Sequence, residues 1–186
     1  METRKRKSTK NLVMTGMFAA VLAVLSQISV PMPSGVPVTL QTFAVALTGF
    51  VLGGNMGAIA VCIYVLIGAL GAPVFSGFGA GLGVLFGKTG GFLIGFPFMA
   101  LLCGLGLSMK GKGKRGLLAA AGLLICHLFG TIQFSVLMGT SFFKSAMLVS
   151  VPYLGKDFLS VVLAYIVGAA LRKALYAANL FHYVRS

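Results

Sequence analysis

The sequence has few charged residues and almost no acidic ones. Of its 186 residues 9% are charged, and two acids, Glu2 and Asp157, stand against 15 Lys and Arg. Hydrophobic residues make up 58%, and the mean hydropathy is +1.01. A soluble domain needs a polar surface, so this composition excludes an ordinary soluble fold and is typical of a polytopic membrane protein.

Metal-binding and catalytic patterns are also missing. The three cysteines lie singly inside apolar runs without a CxxC spacing, so packing thiols are expected and a zinc site is not. His127 has no second histidine or carboxylate at helical spacing, which favours a polar contact within the bundle over metal ligation. No serine stands beside a histidine with an orienting acid. We therefore predict no metal, no cofactor and no catalysis by this chain alone.

Two features of the sequence could suggest nucleotide or nucleic-acid binding, but neither matches the pattern that such binding requires. The segment GVLFGKT, residues 83–89, has a P-loop ending, but Leu82 stands where the pattern needs its first glycine. The net charge is +13, yet the basic residues lie between apolar runs without a basic, aromatic-rich face. Anionic lipid headgroups are the expected partners of this charge, and nucleic acid is not.

Apolar runs divide the chain into six predicted transmembrane helices within a single membrane domain, residues 12–176. A basic segment, residues 1–11, precedes the domain, and a tail, residues 177–186, follows it. The predicted spans cover approximately residues 12–30, 39–53, 56–71, 91–109, 117–138 and 157–176.

The distribution of basic residues predicts the orientation. Twelve of the 15 basic residues fall in the N-terminal segment, the loop 110–115 and the C-terminal end. With six spans, these three segments lie on the same side of the membrane. The remaining three, Lys88, Lys144 and Lys156, fall on the other side. Cytoplasmic segments are the basic ones, so both termini are predicted to be cytoplasmic.

The stretch 73–96 combines glycine with apolar residues. Eight of its 24 residues are glycine and almost all others are hydrophobic, whereas a soluble loop is normally polar. Irregular backbone in a membrane protein is tolerated where protein covers it or where it lines a cavity. We interpret this stretch as a loop that lines a pocket, with a simple interhelical linker as the alternative.

Asp157 is the one acid beyond Glu2, and it lies at the edge of a predicted span. A carboxylate there is costly unless it is paired, so it is a candidate functional residue. The alternative is an interfacial residue paired with Lys156 or Lys88. Lysines at the outer rim of an apolar pocket would suit an anionic ligand.

Four segments resemble one known family. They are PVTLQTFAV (37–45), GALGAPVFSGFGAG (68–81), KTGGFLIGF (88–96) and PYLGKDFL (152–159). Their order and spacing resemble BioY, the biotin-specific substrate-binding subunit, or S component, of energy-coupling-factor (ECF) vitamin transporters. The resemblance extends over about residues 12–176.

This resemblance implies an all-α protein of six transmembrane helices in the bacterial plasma membrane. It would capture biotin at the extracellular face, in a pocket closed by the loops after helices 1, 3 and 5. A transmembrane coupling subunit and two ATPase subunits would drive its delivery inward. Ala19 and Ala23 match the helix-1 motif that contacts the coupling subunit, although packing inside the bundle would explain them and the similar pair Gly16 and Ala20 equally well.

Residue by residue, Asp157 matches the family aspartate, whereas Ser160 stands where the family has a lysine. Lys156, one turn earlier, could return the charge, and Lys88 replaces a family proline. Asp157 would accept from the ureido N–H groups, Thr39 or Gln41 would donate to the ureido carbonyl, and Lys88 or Lys156 would bind the carboxylate. Phe75, Phe78 and Phe92 would supply apolar walls. The predicted substrate-binding residues are Thr39, Gln41, Phe75, Lys88, Gly90, Gly91, Phe92, Lys156, Asp157 and Ser160.

Two alternatives remain open at this point. The family lysine is replaced here by Ser160 and a family tyrosine by Phe92, and both changes are compatible with the same architecture binding another vitamin. A secondary transporter that works without ATPases is the second alternative, and it would need a buried acid–base group for ion coupling, which the sequence does not predict.

Overall fold

The computed structural model describes residues 2–178, with side chains from Thr9 onward except that of Lys112. The tail 179–186, including Arg185, lies outside the described residues. Within 2–178 the chain is mostly helical. The α-helices are α1 (Glu2–Leu25), α2 (Gln41–Leu52), α3 (Gly54–Ala69), α4 (Leu82–Leu85), α5 (Gly90–Gly106), α6 (Lys112–Met138), α7 (Phe142–Val149) and α8 (Val151–Ala177).

A two-residue antiparallel strand pair is the exception to the all-α prediction. Strand β1 (Ser29–Val30) pairs with β2 (Val38–Thr39) in the connection between α1 and α2. The predicted Gly-rich loop is likewise not a single loop. It contains a 3₁₀ turn (Ser76–Phe78) and the short helix α4, and its last third is the start of α5.

The first predicted helix ends earlier than expected, at Leu25 rather than near Val30. Two polar residues follow, and their side chains turn away to another connection: Ser26 Oγ and Gln27 Nε2 both donate to the carbonyl of Val74. This tertiary contact ends α1 although the apolar pattern continues. At its other end α1 extends through the basic segment to Glu2.

The last helix begins six residues earlier than predicted, at Val151 rather than Asp157. Pro152 lies in its first turn, where the fixed φ angle and the missing N–H are compatible with a helix start. The predicted loop 139–156 also contains α7. Asp157 therefore lies inside α8, not at its beginning.

Within the described residues, two helices are long and apolar enough to cross a membrane by length and composition, Gly113–Met138 within α6 and Val151–Ala177. Four shorter apolar segments accompany them: Thr9–Leu25, Gln41–Leu52, Gly54–Ala69 and Gly90–Gly106. These six correspond in order to the six predicted runs.

Small residues bring the central helices into backbone contact. A Cβ on Gly49 of α2 would lie 2.3 Å from the carbonyl oxygen of Ala100 in α5, and one on Gly104 would lie 2.2 Å from the nitrogen of Gly54. Such close approach is typical of helix packing in lipid, where dispersion and not hydrophobic burial drives association. The contacts fix α5 between α2, α3 and α6, and α8 packs along the other side of α2.

Candidate ligand-binding site

A cavity of about 400 Å³ lies where the α1–α2 connection, the Gly-rich segment and the first half of α8 meet. Its size is within the range of small-molecule sites. The lining is mostly apolar with a few polar groups. It comprises Gly35, Val36, Pro37, Thr39, Gln41, Thr42, Phe75, Ser76, Val84, Gly87, Lys88, Thr89, Phe92, Leu93, Phe96, His127, Val149, Tyr153, Lys156 and Asp157.

The Asp157 carboxylate is the buried charged group of this cavity, with 4% of the residue exposed. Its Oδ2 lies 3.1 Å from His127 Nε2 on α6. Its Oδ1 forms an ion pair with Lys156 Nζ, whose side chain is 31% exposed. Oδ1 nevertheless accepts no well-aligned hydrogen bond from any described residue. A carboxylate oxygen has two lone pairs, so beside the Lys156 ammonium this oxygen can still accept from a ligand donor.

Lys156 is already engaged with two acceptors of the protein. In addition to the ion pair with Asp157, its Nζ donates to the backbone carbonyl of Thr39, at 2.9 Å. The lysine thereby connects the start of α8 to the end of β2. The predicted pairing of Asp157 with Lys156 is present, and it lies at a buried site that lines the cavity.

The polar residues at the start of α2 bond to one another. Thr39 Oγ1 donates to Gln41 Oε1 at 3.2 Å, and Gln41 Nε2 donates to the hydroxyl of Tyr64 at 2.8 Å. An amide nitrogen carries two hydrogens, so Gln41 retains one donor for a ligand. The Thr39 hydroxyl proton is used within the protein.

Aromatic rings form the apolar walls. Phe75 is 1% exposed and packs edge-to-face on Tyr64, with ring centroids 5.6 Å apart. Gly68 makes room for it, since a Cβ there would lie 2.2 Å from the Phe75 ring. Phe92 packs edge-to-face on His127 at 5.7 Å. Phe78, expected in this wall, is instead 70% exposed and outside the lining.

Lys88 lies at the rim of the cavity. Its side chain is exposed and covers Gly35 of the α1–α2 connection, where a Cβ would lie 3.3 Å from Nζ. Among the residues that the structure describes, no carboxylate pairs with Lys88. It is therefore a cation with free donors beside an apolar cavity.

Side-chain hydrogen bonds hold the two connections in place around the cavity. Tyr153 of α8 donates to the carbonyl of Val36 at 2.6 Å. Gln133 of α6 donates to the carbonyls of Leu85 and Gly87, at 2.7 and 2.8 Å. Both connections are thus tied to long helices, which gives the irregular backbone the protein cover that a membrane setting requires.

Comparison with known proteins supplies the family. The model of the BioY family matches residues 1–177. The chain belongs to the BioY family. It is 37% identical over 164 residues to the "Probable biotin transporter BioY" of Pyrococcus horikoshii, covering 88% of this chain and 96% of that protein. It is also 37% identical over 166 residues to the "Biotin transporter BioY" of Thermotoga maritima, with the same coverage.

The fold agrees with that assignment. The crystal structure of the S component for biotin from an ECF-type ABC transporter superposes with a TM-score of 0.79, at 23% identity, over 90% of this chain and 93% of that one. The BioY family consists of membrane transporter proteins, so the chain is a multi-pass membrane protein. The described side chains contain no group of three His, Cys, Asp or Glu that could hold a metal ion.

Seven of the ten residues predicted for the BioY site line the cavity. They are Thr39, Gln41, Phe75, Lys88, Phe92, Lys156 and Asp157. Gly90, Gly91 and Ser160 do not. A Cβ on Gly90 would lie 1.7 Å from the Leu85 carbonyl oxygen, and one on Gly91 would lie 2.2 Å from that of Phe129. These glycines allow α5 to pack against α6 and α4, and Ser160 is buried outside the cavity.

Sequence reasoning missed His127 and Tyr153 as members of the site. His127 was expected to make a polar contact within the bundle, and it does, but the contact is with Asp157 inside the cavity. Because α6 and α8 are distant in sequence, spacing alone could not pair these residues. Tyr153 lies in one of the four BioY-like segments, and that position was the available signal.

The predicted partner motif on α1 is only partly exposed. Ala19 is 6% exposed and packs in the core, and Ala23 is partly buried against the same core. The structure therefore does not support Ala19 as a partner contact. The other small pair, Gly16 and Ala20, lies on the exposed face, and a Cβ at Gly16 would meet nothing within 4 Å.

Proposed function

We propose that this chain is the biotin-binding S component of an ECF transporter. The observation that carries the proposal is the buried Asp157 carboxylate, whose Oδ1 has an ion pair with Lys156 and no further hydrogen bond in the described structure, inside a cavity of about 400 Å³ with largely apolar walls. Biotin is a small amphipathic ligand with two ureido N–H donors, an apolar thiophane ring and a carboxylate tail. The cavity offers a counterpart for each, and the names of the BioY relatives support the same substrate.

The geometry favours one orientation of biotin. The ureido ring would donate to Asp157 Oδ1 and accept from the free amide hydrogen of Gln41, with Phe75 and Phe92 against the apolar rings. Lys156 already contacts Asp157 and the Thr39 carbonyl. We therefore place the biotin carboxylate at the rim, on Lys88, whose ammonium has no carboxylate partner in the described structure.

In the membrane, α1, α2, α3, α5, α6 and α8 would form the six spans, with both termini cytoplasmic. The charge distribution supports this orientation, which puts the cavity at the extracellular end. The helix α2, at 12 residues, is short for a 30 Å hydrocarbon core at about 1.5 Å per residue. The α1–α2 connection and the Gly-rich segment lie beyond the N-terminal end of α2. Protein and not lipid would therefore surround the part of the hydrocarbon core that α2 does not span.

Delivery of biotin would require partners, namely a transmembrane coupling subunit and two ATPase subunits. The sequence contains no nucleotide-binding motif, in keeping with energy supplied by other chains. We assign the coupling surface to the exposed face of α1 around Gly16 and Ala20, since Ala19 is buried. The basic segment 110–115, which includes the first residues of α6, would contact anionic lipid at the cytoplasmic face of the plasma membrane.

Equilibrium binding to the purified, detergent-solubilised chain tests the substrate, with biotin and biotin methyl ester compared by isothermal titration calorimetry. We expect tight binding of biotin and weaker binding of the ester, because the ester cannot pair with Lys88. Equal binding of both would keep the substrate and remove Lys88 from the site. Absence of binding to either would contradict the proposal and direct a screen of other vitamins.

One observation favours the second candidate, a secondary transporter. The expectation that the bundle lacks a buried acid–base pair is wrong, since His127 and Asp157 are both buried and in contact. Such a pair can carry a proton in a transporter. Uptake of labelled biotin into vesicles that lack the coupling subunit and ATPases decides the matter. Accumulation driven by a proton gradient there would support this candidate, and we expect none.

A further inference from the structure

His127 lies in the middle of a buried hydrogen-bond chain that ends on Asp157. Thr131 Oγ1 is 2.6 Å from Ser150 Oγ, Ser150 Oγ is 3.2 Å from His127 Nδ1, and His127 Nε2 is 3.1 Å from Asp157 Oδ2. All four residues are at most 6% exposed. The chain connects α6 to Ser150, which immediately precedes α8, and to α8 itself.

The chemistry of the groups fixes the direction of this chain at Asp157 and, for a neutral imidazole, along the rest of its length. Lys156 pairs with Asp157, which is therefore a carboxylate and can only accept, so His127 Nε2 carries the proton and donates. In a neutral imidazole the other nitrogen is then an acceptor, so the Ser150 hydroxyl donates to Nδ1. Ser150 in turn accepts from Thr131. In that neutral form each donor has one acceptor, and the imidazole is held in a single tautomer.

This arrangement makes the two oxygens of Asp157 unequal. Oδ2 is occupied by His127, whereas Oδ1 is buried, faces Lys156 and accepts no well-aligned hydrogen bond. The ring plane of His127 is itself fixed by the edge-to-face contact with Phe92, a cavity wall. The orientation of the carboxylate is thus set from α6, across the cavity.

We propose that His127 is a positioning residue for substrate recognition: its Nε2–H holds Asp157 so that Oδ1 accepts an N–H of the ligand. This inference rests on the proposed function and deepens it, since it assigns the ligand's N–H group to one oxygen of one carboxylate. It also gives His127 a role that does not involve a metal ion.

The test must separate positioning from packing. A substitution that only loosens the bundle weakens every ligand alike. Loss of positioning instead weakens the binding of each ligand by an amount that depends on how much its N–H groups contribute to the affinity. The measured quantity is therefore the ratio of the Kd of an N-methylated biotin, with the ureido hydrogens replaced, to the Kd of biotin. Any steric effect of the methyl groups is common to all variants.

The variants are His127→Gln, whose amide nitrogen can still donate to Asp157, and His127→Leu, which cannot. Ser135→Ala serves as a control, because this α6 hydroxyl bonds only to the carbonyl of Ile132 in its own helix. In His127→Leu we expect biotin binding to weaken about 10- to 100-fold and the Kd ratio to fall by a similar factor. In His127→Gln and Ser135→Ala the ratio should stay close to that of the unchanged chain.

A ratio unchanged in His127→Leu would overturn the inference while leaving the proposed function intact. Failure of the unchanged chain to bind biotin would contradict the proposed function instead. The two failures are therefore distinguishable in one set of titrations.

A second measurement needs no ligand and covers the case in which His127→Leu fails to fold. The sequence contains two histidines, His127 and His182, so ¹⁵N-histidine spectra of the chain and of His182→Gln assign the His127 nitrogens. We expect a proton on Nε2, the nitrogen that faces Asp157. A spectrum with the proton on Nδ1 alone would show that His127 does not donate to Asp157 and would overturn the inference.

Discussion

At the scale of single residues, Asp157 has basic neighbours on two sides, Lys156 on its own helix and His127 on α6. Replacing it by Asn keeps the shape but turns a charged acceptor into a neutral amide. We expect Asp157→Asn to weaken biotin binding about 10- to 100-fold with the fold retained, because Lys156 is partly exposed and can turn to solvent. Calorimetric titration measures the affinity for biotin, and thermal unfolding is the control that measures whether the fold is retained. Unchanged affinity would remove Asp157 from the site.

The rim lysine gives a second prediction at this scale. Lys88→Met should weaken binding of biotin about tenfold and leave binding of biotin methyl ester unchanged, since the lost contact is with the carboxylate. Lys144→Met is the matched control, because Lys144 is an exposed lysine outside the cavity lining. Equal losses for acid and ester in Lys88→Met would mean that Lys88 shapes the rim without contacting the carboxylate.

The sequence identified those residues whose chemistry is unusual for their setting. Asp157 stands out as an acid in an apolar chain, and Lys88 as a cation in a Gly-rich segment. Glycine permits both ligand approach and helix packing, so the sequence favours Gly90 and Gly91 as site residues, whereas in the structure Leu85 and Phe129 occupy the space beside them. A pattern of small residues does not reveal what lies against it.

At the scale of elements, Tyr153 connects α8 to the α1–α2 connection. Its hydroxyl donates to the Val36 carbonyl and also lies 2.9 Å from Ser34 Oγ. Tyr153→Phe removes these bonds while keeping the ring, so the connection should open more readily and biotin should dissociate about three- to tenfold faster. Stopped-flow dissociation measures this rate. Tyr165→Phe, on the same helix and outside the cavity lining, should not alter it.

The faces of α1 give a matched pair of substitutions. Ala19 is buried and Ala20 is exposed, so the same change has different costs at adjacent positions. Ala19→Leu overpacks the core and should lower the Tm by about 2–10 °C. Ala20→Leu should preserve both Tm and biotin binding but reduce uptake in the complete transporter. Normal uptake by Ala20→Leu would place the coupling surface elsewhere.

Hydrophobic runs predicted the helices in the correct order but misplaced several ends. The end of α1 depends on Ser26 and Gln27 bonding to Val74, about 48 residues away in sequence. The start of α8 at Val151 is compatible with Pro152 in its first turn, whereas hydropathy alone assigns this proline to a loop. Ends set by tertiary contacts are not encoded in local hydropathy.

At the scale of the whole molecule, the membrane class follows from composition, and the bundle follows from glycines that bring α2, α3 and α5 into contact. The orientation depends on charge alone and is directly testable. In a chain without its native cysteines, Lys144→Cys should react in intact cells with a membrane-impermeant maleimide, and Lys114→Cys should react only after the membrane is permeabilised. The reverse pattern would place the cavity on the cytoplasmic side. A cavity there could not capture external biotin, so this labelling experiment tests the transport direction together with the topology.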